Sequence, residues 1–324
     1  MSNAESTSSK TPPLVSIVTP TYNQAAFLRD TIESVLSQDY PAIEYQIIDD
    51  GSTDETPQIL KQYSSRAWIE RHDNRGQTAT INKGWERAKG GILAWLNSDD
   101  TFLPGAVGAA VDYLEKHPEV GVVFGDTLFT NEDGSPIERS PHRSGFDYEC
   151  FVRECENPIA QPSAFIHRSV IEDIGILDPS YYYFMDWDFW LRAGVNHRIA
   201  YVPELLSTYR LHAESKTIAQ ANKAAPELEY MYRNFFADPK LPDRIRTLEK
   251  EAMVNMLFTT GGYYITGGDR KSAAETALRA LRQAPGMFYR PSLVHKLIYC
   301  LYGGSAFYRR SRETYHRART IGAD

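Results

Sequence analysis

Between Leu14 and Phe124 short apolar runs alternate with segments of helical period, and this constrains the fold more than any other feature of the chain. Leu14 to Thr19 reads as a strand, broken by Pro20-Thr21-Tyr22-Asn23 before a helical pattern through Phe27, Ile32, Val35 and Leu36. A second strand, Tyr45 to Asp49, leads to a helix whose start is marked by Ser52 and Glu55 at capping-box spacing. A weaker strand, Ala67 to Glu70, precedes Asn74-Arg75-Gly76-Gln77 and a helix through Ile81, Trp85 and Ala88. Ile92 to Leu96 is the next strand, a helix opens near Pro104, and Val120 to Phe124 closes the series. Such alternation predicts an α/β fold with a mostly parallel central sheet covered on both faces.

Beyond Thr127 the pattern is mixed: Asn131-Glu132-Asp133-Gly134 reads as a hairpin turn, and aromatic residues crowd Tyr181 to Trp190. From about Ile218 the chain reads as helical, around Glu227 to Phe236, Pro242 to Phe258 and Ser272 to Gln283. The expected organisation is a leader over 1–13, an α/β domain over 14–217 with halves 14–126 and 127–217, and a helical region over 218–324.

A net charge of −7 over 324 residues argues against nucleic acid as a partner, because phosphate backbones select basic surfaces. The charge is uneven: Gly286 to Asp324 carries +5, leaving −12 for the remainder. Leu293, Leu297, Ile298, Leu301, Phe307 and Tyr308 interleave with that basic stretch. The pattern suits a helix lying on an anionic membrane and equally a surface helix packed on the rest of the protein. Cys150, Cys155 and Cys300 have neither zinc spacing nor an even count, which favours a reducing compartment. No stretch of roughly 18 to 20 residues is both uncharged and predominantly apolar, as spanning a bilayer requires. The expected location is therefore cytoplasmic, at most peripheral on the inner face of a membrane.

Two strand ends carry acidic clusters, Asp49-Asp50-Gly51-Ser52 and Asn97-Ser98-Asp99-Asp100. A parallel sheet sets such ends along one edge, beside the crevice where ligands bind. Magnesium and manganese prefer oxygen, take one or two protein carboxylates and complete their shell with water and substrate phosphates. The clusters therefore point to a phosphate-bearing substrate held through Mn2+ or Mg2+.

Taken in order, Val15 to Asn23, Asp49 to Asp54, Asn97 to Asp100, Met185-Asp186-Trp187-Asp188-Phe189-Trp190-Leu191-Arg192 and Tyr209-Arg210-Leu211-His212 resemble family 2 glycosyltransferases of the GT-A fold, over Leu14 to Ser215. The resemblance implies an inverting transferase that moves a sugar from a nucleoside diphosphate to an acceptor hydroxyl of a glycan or glycolipid. Residues 14–126 would then bind the nucleotide and 127–217 the acceptor. It implies nucleotide contacts at Pro20, Tyr22, Asp50, Gln77, Asn97 and Ser98, metal contacts at Asp99 and His212, and a diphosphate contact at Arg210. It further implies Asp186 as catalytic base, and a donor or acceptor neighbourhood at Gln161, Ser163 and Trp187. UDP is favoured because a carboxylate at Asp50 suits the imide of a uracil ring.

Each assignment has a plainer counterpart. Asp49, Asp50 and Asp54 build turns and caps, the role preferred for Asp54. Asp100 with Thr101 suits the start of the following helix. Asp186 and Asp188 suit the cap of the helix they open, with Asp188 paired to Arg192 four residues on. Asn97 stands where the family usually has Asp and brings no charge, which keeps open a catalytically silent nucleotide-binding module. A nucleotidyltransferase is disfavoured, because Pro20-Thr21-Tyr22-Asn23 is no Gly-rich phosphate loop.

Overall fold

The computed structural model describes residues 11–140, 145–212, 221–286 and 291–302. Most of the expected leader, and the basic stretch from residue 303 on, lie outside the described residues. Two compact units interleave along the chain. One comprises Met1–Phe146, Ile159–Leu177 and His197–Arg210, the other Asp147–Pro158, Asp178–Asn196 and Leu211–Asp324.

The first unit opens with β1 (Val15–Thr21), α1 (Leu28–Leu36), β2 (Ile43–Asp49), α2 (Thr56–Lys61), β3 (Trp68–Arg71), α3 (Gln77–Arg87) and β4 (Ile92–Trp95). It continues through β5 (Thr101–Phe102), α4 (Ala106–Lys116), β6 (Val120–Thr130) and β7 (Pro136–Arg139). The chain then contributes α5 (Tyr148–Glu154) to the second unit, returns for β8 (Ala164–His167) and α6 (Arg168–Ile174), leaves again for α7 (Met185–Asn196), and returns for β9 (Arg198–Arg210).

The strands form one sheet in the order β3-β2-β1-β4-β8-β6-β9-β5, with β7 against β6. Parallel pairing holds through β3-β2-β1-β4 and again between β6 and β9. By contrast β8 runs antiparallel to β4 and β6, and β5 antiparallel to β9, so the sheet is mixed. The periodicity that predicts a strand carries no information on its direction, and β8 is reached only after an excursion into the second unit.

One face of the sheet buries Val15, Ile17, Tyr45, Ile47, Ala94 and Leu96 with Leu28 and Ile32 of α1 and Val107 and Val111 of α4. Along β1 this is every second residue, the strand period of two. On β1's other face lies Val18, and a Cβ at Gly84 of α3 would stand 2.6 Å from its methyl carbons. Glycine there lets the helix approach the strand closely, where any side chain would hold it off.

The capping box expected at Ser52 and Glu55 does not form. Ser52 Oγ accepts the Asn23 N–H (2.9 Å) and is drawn to another loop, while Asp54 Oδ1 accepts from Thr56 N (2.9 Å) at the start of α2. Nor does Asp100 cap a helix; its Oδ1 accepts the Arg210 N–H at 3.0 Å, and Thr101 enters β5. Asn131-Glu132-Asp133-Gly134 does make the β6–β7 hairpin, with Gly134 at φ 82°.

The second unit is helical: α5, α7, α8 (Ala221–Ala237), α9 (Asp243–Arg246), α10 (Glu249–Thr266), α11 (Arg270–Gln283) and α12 (Pro291–Tyr302). The continuous helix expected over Pro242 to Phe258 is broken between α9 and α10. Asn255 and Thr259 of α10 donate to the carbonyls of Arg153 and Cys155 (2.9 and 3.1 Å), satisfying acceptors at the end of α5. On α12, Leu293, Leu297 and Cys300 are buried, and Lys296 Nζ bonds Asn255 Oδ1 at 3.1 Å and pairs with Glu156 at 3.2 Å. The described part of the basic stretch thus packs within this unit. Among the described residues no helix is long and apolar enough to cross a membrane.

Candidate active site

Strand β1 sits between β2 and β4, and the chain passes from β1 to β2 and β3 on one side before returning to β4 on the other. The strand order therefore reverses at the β1/β4 boundary, and the crevice beyond the carboxyl ends of such strands is the binding place of open α/β sheets. Pro20 is buried near the end of β1, and Tyr22 follows as one of the few exposed large hydrophobic side chains, at 46%.

The loop bearing Tyr22 is laced to the loop after β2. Asn23, in the left-handed region at φ 52°, accepts the Thr53 N–H on Oδ1 at 2.7 Å, and its own N–H donates to Ser52 Oγ. Asp54 Oδ2 accepts from Ala25 N at 3.0 Å, and Thr56 Oγ1 from Gln24 N at 3.2 Å. Asp49 is buried and closes the turn through its Oδ1, which accepts the Ser52 N–H at 2.8 Å. Gly51 lies at φ 84°, where a side chain would be strained, and a Cβ there would meet Asn74 N at 2.9 Å.

Asp50 is buried and gathers the loop before α3: Oδ1 accepts from Arg75 N (2.7 Å), Oδ2 from Gly76 N (2.9 Å), and His72 Nδ1 stands 3.4 Å away. A carboxylate has about four lone-pair sites, so Asp50 holds this loop and retains the capacity to accept a further N–H.

Gln77 begins α3, and its Nε2 donates to Asn97 Oδ1 at 2.7 Å. Asn97 Nδ2 donates to Gln161 Oε1 at 3.0 Å, and Gln161 Nε2 to the Trp95 carbonyl at 2.8 Å. The carbonyl at the end can only accept, which orients each amide in turn. Three residues singled out from the sequence are thus one hydrogen-bonded row.

Ser98 is buried, Asp99 half-buried and Asp100 buried. Burial first, and then the neighbouring Asp99 charge, push the Asp100 carboxyl well above the ordinary range, against hydrogen bonds from the Arg210 N–H and the Asn97 side chain. Arg210 is buried and its guanidinium binds protein throughout: Nε to Asp99 O (3.1 Å), Nη1 to Glu132 O (2.7 Å) and Nη2 to Asp30 Oδ2 (2.9 Å), over the Phe27 ring. It holds the Asp99-Asp100 segment in place. Ser163 is buried, its hydroxyl donating to the carbonyls of Gly125 and Ala160.

Asp186, Trp187 and His212 belong to the second unit. Asp186 opens α7 and keeps partial access to solvent, yet protein atoms crowd its carboxyl; that burial pushes it up to about 6, against hydrogen bonds from its own and the Trp187 N–H. Trp187 is buried between Phe151 (6.2 Å between ring centres) and Phe184 (5.4 Å). Asp188 pairs with Arg192 Nε at 2.8 Å, the expected structural contact. His212 is buried.

No group of three or more potential metal ligands is assembled among the described residues. The donor set at the end of β4 nonetheless fits a hard cation that takes most of its shell from phosphate and water: one half-buried carboxylate, Asp99, beside a second, Asp100, whose ionisation that charge opposes. A divalent cation would relieve that opposition.

Asn23, His72 and Glu227 (below) escaped the sequence reading. For Asn23 a signal exists, since Asn tolerates the left-handed conformation better than most residues and follows a strand end. His72 and Glu227 leave no local trace.

The profile of the glycosyl transferase family 2 matches residues 16–175. An uncharacterized glycosyltransferase of Rickettsia prowazekii is 29% identical over 249 residues, 75% of this chain and 74% of that protein. TuaG of Bacillus subtilis, named as a teichuronic acid biosynthesis glycosyltransferase, is 35% identical over 136 residues, 40% of this chain and 53% of TuaG. Among solved structures, S. aureus TarS 1-349 in complex with UDP-GlcNAc superposes with a TM-score of 0.65 at 16% identity, covering 94% of this chain and 92% of that one. The mannosyltransferase PcManGT of Pyrobaculum calidifontis, in complex with GDP-Man and Mn2+, gives 0.60 at 19% identity, covering 90% and 86%. At these identities the structural likeness shows a common fold.

Proposed function

The chain belongs to glycosyl transferase family 2 and has the GT-A fold, and from that premise we propose that it transfers a sugar from a UDP-sugar to an acceptor hydroxyl, with inversion, in the synthesis of a surface polysaccharide or glycolipid. The observation that carries the reading is the assembly at one sheet edge of Tyr22, Asp50, Gln77, Asn97 and Asp99 around the β1/β4 switch point. The complexes of TarS with UDP-GlcNAc and of PcManGT with GDP-Man support a nucleotide-sugar donor, and the likeness to TuaG supports a polysaccharide setting.

In this mechanism Tyr22 covers the base and Asp50 accepts the imide N–H that uracil presents. Gln77 and Asn97, fixed by their row of amides, present polar groups to the ribose and phosphates. Asp99 would hold Mn2+ or Mg2+, with His212 as the candidate second ligand, and the cation when bound would supply positive charge to the departing diphosphate. Arg210 keeps the Asp99 segment in register. Asp186 removes the acceptor proton; a carboxyl raised to about 6 is still mostly ionised at neutral pH and is a stronger base than an ordinary one. Trp187 and the neighbouring aromatic rings exclude water from it. The chain would work on the cytoplasmic side, where nucleotide sugars are made.

Calorimetric titration of UDP, GDP and dTDP, with manganese and again with EDTA, tests the donor site. Binding of UDP that weakens at least tenfold without metal is the expected result. A folded protein that binds none of the three overturns the reading.

A further inference from the structure

The carboxylate of Glu227, on α8, accepts three consecutive backbone N–H groups just before α7: Tyr182 N to Oε2 at 3.0 Å, Tyr183 N to Oε1 at 2.6 Å and Phe184 N to Oε1 at 2.8 Å. The partners are 43 to 45 residues apart in sequence and both belong to the second unit. Helix α8 is anchored by its buried face, with Ala224, Ala225, Leu228 and Met231 all at or near zero exposure, so Glu227 is presented from a fixed support.

We propose that Glu227 is a positioning residue for Asp186: it occupies the N–H groups ahead of α7 and thereby leaves the Asp186 carboxylate available to the acceptor hydroxyl. The inference rests on the assignment of Asp186 as base. The N-terminus of a helix attracts a carboxylate, both through its unpaired N–H groups and through its dipole. Of the other carboxylates around this segment, Asp178 Oδ1 already accepts the Ser180 N–H at 2.8 Å. Asp188 is committed to Arg192, and Asp186 already accepts N–H groups of the first turn. Without Glu227 the N–H groups of residues 182–184 lose this acceptor, and Asp186, two residues beyond Phe184 in the sequence, is drawn toward them. A cap and a base make opposite demands on one group, since the first must stay on the helix and the second must face the substrate. Glu227 takes the N–H groups of residues 182–184, so Asp186 is left with those of its own turn alone. The helical region, beyond residues 16–175 of the family profile, then contributes directly to the chemistry rather than forming an appendage.

The test uses the full chain and measures UDP release from UDP-glucose, UDP-galactose and UDP-N-acetylglucosamine in turn with manganese, the sugar passing to water whose proton the base removes, alongside amide hydrogen exchange at residues 182–184. Glu227→Ala is expected to lower kcat at least tenfold, to change the donor KM less than threefold and to speed exchange at 182–184. Glu227→Gln keeps the oxygen that serves Tyr183 and Phe184 and is expected to recover most of the lost kcat. Faster exchange with kcat unchanged overturns the proposal, as does a loss of kcat that Glu227→Gln does not relieve. If Glu227→Ala does not fold, Glu227→Asp replaces it under the same criteria, its shorter side chain withdrawing the carboxylate from the three N–H groups. Asp186→Asn separates the two readings: full turnover in that variant defeats the base assignment itself, whereas an inactive Asp186→Asn beside an unaffected Glu227→Ala defeats only the positioning role. A wild-type chain that releases no UDP defeats the parent reading.

Discussion

Asn97 donates its side-chain N–H to Gln161 Oε1 at 3.0 Å while its oxygen accepts from Gln77. An aspartate at this position cannot donate, and Gln161 cannot turn to meet it without giving up the Trp95 carbonyl. An Asn at this place, where the resemblance leads to an expected Asp, is thereby matched by the residues around it.

Asn97→Asp should therefore destabilise the protein by about 1–3 kcal/mol, the cost of leaving a buried polar group without its partner. It also adds a negative charge beside Asp99 and Asp100, so Mn2+ should bind more tightly to the variant. Thermal melts with and without Mn2+ check both effects; equal stability of variant and wild type would show that the row of amides carries no energy.

Asp186 gives a pH dependence of defined sign. In the proposed role of base it must be ionised, so kcat should fall as pH drops through about 6. Stability moves the other way. A carboxyl raised in the folded state binds more protons there than when unfolded, so wild type loses stability as pH rises from about 4 through about 6. Asp186→Asn escapes this loss. It should melt higher than wild type above pH 6 and equally below pH 4, with turnover reduced about 10²–10⁴-fold. Melting curves across that range and rates at pH 7.5 test the two halves separately.

Asn23 combines a left-handed backbone with an acceptor for Thr53 N. Asn23→Gly keeps the backbone freedom and loses the acceptor; Asn23→Ala loses both and adds about 1–2 kcal/mol of strain. UDP affinity should therefore decline in the order wild type, Asn23→Gly, Asn23→Ala, because Tyr22 precedes this residue on the same loop. Titration of the three proteins gives the order directly.

Arg210 is bound on every nitrogen of its guanidinium, so its substitution should act first on stability. Arg210→Ala should cost about 3 kcal/mol, the low end for stripping one partner from a buried charged network, since Asp30 is itself largely exposed. Arg210→Lys restores the charge without the fork and should recover less than half. Urea denaturation measures both. UDP affinity that falls while stability holds would assign the side chain to the ligand instead.

Local pattern alone settled the layers of this protein. The short apolar runs at β1, β2 and β4 and the helical period between them are enough to predict a mostly parallel sheet covered by helices, as holds for β3-β2-β1-β4; the strand order itself came from the tertiary structure. Because that sheet is parallel, the acidic strand ends at Asp49-Asp50 and Asn97 to Asp100 fall on one edge. The same reasoning found the Asp188–Arg192 pair, four residues apart on one helix face. What tertiary structure decided is the partner of each polar group when that partner lies far along the chain. Arg210 meets Asp30 across 180 residues, Gln161 meets Asn97 across 64, and Glu227 meets Phe184 across 43. The directions of β8 and β5 belong to the same class, as does the loss of the Ser52–Glu55 box to Asn23. Periodicity reports which side of an element faces the core, because burial acts on each element separately; a hydrogen bond between distant segments exists only once the fold has brought donor and acceptor within about 3 Å.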